Sequence, residues 1–358
     1  MQEDAVLERS SWHVNALCTA LFGCMLLCAP GGVYASSYLG GDADAYLRAP
    51  VGAAAAAMGG AATARPPEPS GWWNPAAIDV RGGPVFSAGS GLRSLWRPEG
   101  YTAVYFKIPP RMSAGVCMMY RGDPRIELRD SDETIRGHAA FTSLTTKMSL
   151  GYAWSRHLSF GINIAMLYQS LPSDIDAHST IFTVGGLDLG MHYRLREHLH
   201  VGLVLRHCNT VFNWQMKTGT GAGLQHARDV TMPPVMGTGL CWETSLWQRA
   251  LQWRMDCDLH AFDKGFSVRQ RPVLVLDNGV SWAALKQWHI RLGVGDVALD
   301  SDIYRDPDTY IDHFAVRASA GFWYIPPDDA MTPHIGYSLS NSKSLSGINQ
   351  QIAIQYSF

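Results

Sequence analysis

Apolar and polar residues alternate one for one along most of the chain. The clearest segment runs from Leu251 to His260, where Leu251, Trp253, Met255, Cys257 and Leu259 alternate with Gln252, Arg254, Asp256, Asp258 and His260. A period of two places these sets on opposite faces of a β-strand. Leu158 to Gln169 repeats the pattern: Leu158, Phe160, Ile162, Ile164, Met166 and Tyr168 stand opposite Ser159, Gly161, Asn163, Ala165 and Gln169, broken only by Leu167. At the end of the chain Ile352, Ile354, Tyr356 and Phe358 alternate with Gln351, Ala353, Gln355 and Ser357.

Such runs predict about fourteen strands, near residues 84–92, 101–108, 112–120, 141–154, 158–169, 180–193, 199–207, 232–242, 250–260, 273–285, 288–295, 313–324, 332–338 and 349–358. The connections between them alternate in length. Pro109–Arg111, Ser155–His157, Arg194–His198, Glu243–Arg249 and Ile325–Met331 are short, whereas Arg121–Ala140, Cys208–Thr231 and Asp296–Asp312 read as long loops. An even number of strands with short turns at one end and long loops at the other is the pattern of an antiparallel transmembrane β-barrel. Both ends of a fourteen-stranded barrel then fall on the short-turn side. A secreted β-sandwich also alternates, but it gathers its apolar faces into one core. Here charges such as Asp256 and Asp258 sit opposite broad Trp and Met faces on many strands, which favours lipid outside and a wet or plugged lumen inside. Backbone groups in hydrocarbon must all be hydrogen-bonded, so the sheet is expected to close.

Composition narrows the classes further. Of 358 residues, 47% are hydrophobic and only 17% charged, against roughly 25% charged in soluble domains. Disorder is excluded and a small water-facing surface is favoured. A formal charge of -2 with scattered arginines provides no basic tract for nucleic acid.

The apolar run Ala16–Cys28 is too short to span a bilayer, which needs about 20 residues, and fits the apolar region of an export signal. Arg9 and His13 precede it, Pro30, Gly31 and Gly32 break it, and Val33-Tyr34-Ala35 supplies small residues for cleavage after Ala35. Lipidation at Cys24, in Leu21-Phe22-Gly23-Cys24, is the competing reading. Residues 1–35 are thus expected to be a signal peptide and 84–358 the barrel. Three of the seven cysteines leave with the signal; Cys117, Cys208, Cys241 and Cys257 are far apart and make neither a metal motif nor a disulfide framework.

Residues 36–83 differ in character. They contain Leu47-Arg48-Ala49-Pro50-Val51-Gly52, the small-residue run Ala53–Ala64 with Met58-Gly59-Gly60 inside it, and Gly71-Trp72-Trp73-Asn74-Pro75-Ala76-Ala77-Ile78. Ala and Gly allow close packing, Pro75 restricts Asn74 to extended or turn conformations, and the Asn74 amide offers both a donor and an acceptor. A small-residue segment that only fills space is the plainer reading of Ala53–Ala64. This order of residues resembles the N-terminal hatch of the FadL-like outer-membrane family, which includes long-chain fatty-acid transporters and PorV-type relatives serving secretion. It is especially similar to a family of spirochaete (treponemal) outer-membrane proteins. The chain departs from that pattern at Arg65–Ser70, where relatives carry Asp-rich residues.

Enzyme motifs are not found. Ala88-Gly89-Ser90-Gly91 lacks the spacing of a nucleophile elbow and lies in a strand. Gly219–Gly223 has no following Lys-Ser or Lys-Thr pair for a phosphate, and His198 and His200 at a turn lack a third metal ligand. No cofactor is expected. With the apolar faces assigned to lipid, Lys107, Arg206, Arg254, Asp256, Asp258, His289, Arg291 and Arg317 point into the lumen. They can pair with one another and with the plug, or Arg206, Arg254, Arg291 and Arg317 can offer bidentate donors to a carboxylate or phosphate headgroup.

The resemblance implies a channel for hydrophobic or amphipathic small molecules, above all long-chain fatty acids, in the cell outer membrane. It also implies gating around Asn74, Pro75 and Ala76, outer-membrane lipid as surroundings, and a terminal Phe358 recognised by the barrel-assembly machinery. A scaffold serving secretion, or a surface adhesin whose information lies in the long loops, are the other classes left open.

Overall fold

In the computed structural model every segment of period-two alternation lies in a strand, and each strand pairs antiparallel with its neighbours. The structure describes residues 47, 49–67, 70–78, 83–93, 96–129, 132, 134–174, 177–217, 225–232, 234–263, 270–299, 316–326, 332–341 and 348–357. The proposed signal, Cys24 and Phe358 lie outside these residues.

The first seven strands are β1 (Val85–Arg93), β2 (Arg97–Ile108), β3 (Met112–Arg129), β4 (Ile135–Ala153), β5 (Leu158–Asp174), β6 (Ala177–Arg196) and β7 (Leu199–Cys208). A hairpin of β8 (Val211–Lys217) and β9 (Gln225–Thr231) follows, and then β10 (Val235–Leu246), β11 (Arg249–Asp263), β12 (Gln270–Trp282), β13 (Trp288–Ala298), β14 (Arg317–Tyr324), β15 (His334–Asn341) and β16 (Ile348–Ser357). β7 pairs with β10, and β1 with β16, so β1–β7 and β10–β16 form a closed antiparallel barrel of 14 strands. The hairpin β8–β9 stands outside the ring, held to the loop end of β6 by pairs such as His178 with Lys217. Val85 pairs with Ser357 at the short-turn end, where the ring closes.

Burial follows the alternation with the usual order reversed. Met118, Val104, Phe106, Val116, Leu150 and Leu292 face outward, from 39% exposed at Met118 to 57% at Leu292. Ser87, Thr145, Lys147, Asn163, Asp188 and Asp256 face inward and are buried. A soluble protein hides its large apolar side chains; this wall turns them outward, as a lipid-facing barrel does. Near the short turns, Tyr152 and Trp154 meet at 6.4 Å, Trp247 and Trp282 at 5.7 Å, and Trp288 and Tyr324 at 5.1 Å between ring centres, an aromatic band of the kind that marks a membrane interface. No described helix is long and apolar enough to cross a membrane. No disulfide joins Cys117, Cys208, Cys241 and Cys257.

Two expected loops differ. Arg121–Ala140 is mostly strand: β3 continues to Arg129 and β4 begins at Ile135, with Asp123 opposite Phe141 and Ile126 opposite Ala139. Its density of charge reads as loop, yet a strand that rises beyond the hydrocarbon has no face that must be apolar. Cys208–Thr231 contains the β8–β9 hairpin, whose alternation of Phe212, Trp214 and Met216 with Asn213, Gln215 and Lys217 is overshadowed by Gly219–Gly223. Most of Asp296–Asp312, and Gly219–Gly223, lie outside the described residues.

Within the ring lie the described residues 47–78 of the chain before β1. Among the described residues it forms a short helix, α1 (Ala53–Ala57), a single turn, α2 (Ser70–Trp73), and a 3-10 turn, Pro75–Ala77. Helix α1 packs against β13–β16, and the 3-10 turn against β4–β6. All five alanines of α1 are buried.

Candidate functional site

The segment inside the barrel has little regular structure, so its backbone groups need partners from elsewhere. Buried amides and carbonyls without partners are costly, and the inward side chains of the wall supply many of those partners. Asp256 Oδ2 accepts from the amides of Ala62 and Thr63, both at 2.7 Å. Arg317 Nη2 donates to the Gly59 carbonyl at 2.7 Å, and the Ser319 hydroxyl accepts from the Gly59 amide at 3.1 Å while donating to Ala57 O at 3.1 Å. Arg121, paired with Glu99 at 3.1 Å, donates to the carbonyls of Ala49 and Pro50. Asn163 Nδ2 donates to Gly71 O at 2.9 Å.

Beside Trp72 lies a buried ion pair. Lys147 Nζ is 2.8 Å from Asp188 Oδ2 and 4.5 Å from the centre of the Trp72 ring. Asp188 also accepts from Asn163 Nδ2 at 3.2 Å and from the His207 amide at 3.0 Å. Removing two charges from water is repaid only when the pair is close and its remaining lone pairs are filled. Both conditions hold here, and the same lysine holds Trp72 by its ring and by donating to its carbonyl at 3.5 Å.

Asn74 is fully buried. Its backbone is extended, with φ -148 and ψ 109, as the following proline requires, and Pro75 opens the 3-10 turn that Asn74 caps through Oδ1 accepting from the Ala76 amide at 3.0 Å. Asn74 Nδ2 donates to Thr63 O at 2.9 Å within the segment and to Met191 O at 3.1 Å on β6, and reaches Leu203 O on β7 at 3.5 Å. One amide thus joins two distant parts of the inner segment to two strands of the wall. Ala76 is buried beside it.

Close approach of two backbones explains the glycines. Gly59 and Gly60 have φ of 71° and 103°, and a Cβ on Gly59 would lie 2.6 Å from Val294 O; the Met58-Gly59-Gly60 sequence turns the chain where a side chain could not fit. On the wall, a methyl group at Gly161 would overlap Pro75, and one at Gly202 would overlap Thr63 O.

The inner segment separates two cavities. One of about 80 Å³ lies toward the long loops, with Trp72, Lys147, Arg206 and Arg317 in its lining together with Asp256, Asp258, Asp277 and Asp296. The other, about 450 Å³, lies at the short-turn end below Ala64, Ala76, Ala77 and Ile78.

The four arginines singled out from sequence do not converge. Arg206 pairs with Asp258 at 2.9 Å and donates to Thr63 Oγ1 at 3.1 Å; Arg317 pairs with Asp296 at 2.8 Å. Both line the acid-rich cavity, where neighbouring carboxylates repel a carboxylate ligand. Arg254 donates to Gln252 at 3.0 Å, and its Nε and Nη1 are buried without a hydrogen-bond partner among the described residues. Arg291 reaches Ser281 at 3.4 Å and stacks 4.8 Å over Trp323. Lys147, Asp188 and Asn163 were not singled out, although each occupies an inward position of a period-two run; Arg121 opens a stretch that reads as loop, yet it is buried on β3. His200 is a buried strand residue rather than a turn residue, stacked on His192 with Nε2 to Nδ1 at 3.2 Å. No group of three metal-binding side chains occurs among the described residues, and Ser90 lies within β1.

Solved structures share this fold. The toluene transporter TbuX of Ralstonia pickettii is similar at 15% identity over 87% of this chain and 99% of its own, with a TM-score of 0.56. The toluene transporter TodX of Pseudomonas putida is similar at 14% identity over 86% and 98%, also at 0.56. A Pseudomonas aeruginosa FadL homologue aligns at 13% identity over 86% and 98%, with a TM-score of 0.48. No protein-family model and no curated protein matches the sequence.

Proposed function

We propose that the protein is an outer-membrane channel for hydrophobic or amphipathic small molecules, long-chain fatty acids foremost, in which the segment before β1 is a hatch that opens to let them pass. The observation that carries this reading is the way the lumen is filled. Val51, Ala53–Ala55, Trp72 and Trp73 of the segment share one apolar cluster with Tyr105, Met119, Leu167 and Trp323 of the wall, while its backbone is fastened by separate hydrogen bonds from wall side chains, contacts that can be released without opening the ring. The likeness to two toluene transporters in fold, and the resemblance of the Ala53–Ala64 and Trp72–Ile78 motifs to the hatch of FadL-like and treponemal proteins, support it. In this reading residues 1–35 are a removed signal, 36–83 the hatch and 84–358 the barrel, and passage is by diffusion, with no chemical step. Phe358, which follows β16 in the sequence, is the proposed recognition element for barrel assembly.

The test is uptake of labelled oleate and of toluene by a host lacking its own transporter. Accumulation above the empty-vector strain is expected for at least one of them. Correct insertion with no uptake of either would favour a scaffold or surface protein instead. Deleting Phe358 is expected to lower the amount inserted without changing synthesis.

A further inference from the structure

The larger cavity has an unusual electrostatic make-up. Lys107 at the end of β2, Arg111 and Arg156 in the two adjoining turns, and Arg194 on β6 all line it, with Arg65 of the inner segment and the stacked pair His192 and His200. Among the described residues no aspartate or glutamate does. Arg65 is paired with Glu243. The other four cations have no carboxylate partner among the described residues: Arg111 donates to the Trp154 carbonyl at 3.2 Å and Arg194 to the Arg156 carbonyl. These acceptors are neutral and bring no countercharge. The cavity toward the long loops offers the contrast, since its three cations face four carboxylates.

The cationic rim surrounds an apolar floor. Ala64, Ala76, Ala77 and Ile78 of the inner segment form that floor, and Ala153 adds to it from the wall. A volume of about 450 Å³ lies within the roughly 300–1,000 Å³ of small-molecule sites. We propose that this basin is a binding site for a single-chain amphiphile bearing a carboxylate, with the chain against the floor and the acid group among Lys107, Arg111, Arg156 and Arg194. The inference rests on the channel reading and deepens it. It moves headgroup recognition from Arg206 and Arg317, which are engaged with wall carboxylates and the inner segment, to the short-turn mouth. Guanidinium groups suit a carboxylate through paired donors, and a cluster of like charges draws an anion from a distance.

The test is binding of dodecanoate, and of dodecanol as its uncharged match, to the full chain in nanodiscs of phosphatidylcholine. Dodecanoate is expected to bind more tightly, and more weakly as salt rises. Lys107→Gln and Arg156→Gln are each expected to weaken dodecanoate about tenfold, in line with the loss of one charged hydrogen bond. Dodecanol binding should stay as it was, and Lys107→Arg should restore the loss. Arg249→Gln, which removes a charge at the same end outside the cavity, is expected to change neither ligand. Heat-modifiable mobility on gels verifies that each variant is folded. Equal binding of acid and alcohol, or no effect of either Gln variant in folded protein, would overturn the proposal. So would loss of dodecanoate binding in phosphatidylglycerol nanodiscs, because a lipid phosphate would then be the occupant. Uptake of toluene or oleate by wild type in the whole-cell assay keeps the channel reading standing even if the basin fails. A basin that discriminates as expected in a protein that moves neither compound would sink the channel reading alone.

Discussion

The wall and the segment it encloses solve the same problem in opposite ways. Both must satisfy backbone groups away from water. The wall does so by itself, each strand bonding the next around a ring with no edge, and its side chains are left to choose between lipid and lumen. The inner segment has no ladder. It borrows partners from the wall: Asp256 for two amides, Arg317 and Ser319 for Gly59, Arg121 for Ala49 and Pro50, and Asn74 in the reverse direction for carbonyls of β6 and β7. The wall is therefore redundant, with stability spread over many equivalent bonds, whereas the segment, beyond its apolar contact with the wall, has its backbone fastened by a few individual side chains. Single substitutions should act on the two regions differently.

The sharpest way to break the comparison is at Lys147. Lys147→Met leaves Asp188 buried without its cation, which typically costs about 3–5 kcal/mol. Because Trp72 is clamped by the same lysine, the cost should fall on the seating of the inner segment. Conductance in planar bilayers is expected to rise while heat-modifiable mobility persists. A barrel that no longer folds would mean that the ion pair belongs to the wall. Next in size is Leu292→Lys on the outward face, expected to destabilise the barrel by about 2–4 kcal/mol if it lies near the middle of the bilayer. Urea unfolding in liposomes should report it, with conductance of the folded fraction unaltered; an unchanged midpoint would contradict the lipid assignment of β13. The smallest effect is expected at Asn74. Asn74→Ala removes the hydrogen bonds to Thr63, Met191 and Ala76, a loss of about 1–3 kcal/mol for one or two buried bonds. That is roughly a five- to hundredfold change in the ratio of seated to released segment. Altered uptake with unchanged urea midpoint is the expected pair of results, and uptake equal to wild type would remove the role given to Asn74.

The same contrast explains what was legible in the sequence. Each of the fourteen barrel strands is visible because lipid and lumen impose a period of two on every one. Loop ends of β3 and β4 were hidden because above the membrane that pressure disappears, so Arg121–Arg129 looks like a loop while pairing as strand. The β8–β9 hairpin alternates, but the glycines beside it outweigh that signal. For the inner segment, only residues with a strong local constraint were legible. Pro75 fixes the backbone at Asn74, and the run of small residues marks close packing. Which wall side chain meets which carbonyl depends on strands far apart in sequence. Alternation tells that Lys147 and Asp188 point inward but not that they meet. For that reason Arg206 and Arg317 read as headgroup donors and turn out to hold the segment and its neighbouring acids.

The seam between β1 and β16 has a consequence for how the molecule is made. Val85 and Ser357 stand at opposite ends of the barrel sequence, so the last pairing to form needs the whole chain, the extreme of non-local contact. The inner segment is synthesised first and rests on β4–β7 as well as on β13–β16. It therefore touches early strands and late ones from the inside, like a mandrel around which a sheet is rolled. Because α1 packs on β13–β16, a curl that brings these strands onto its alanines also carries β16 toward β1.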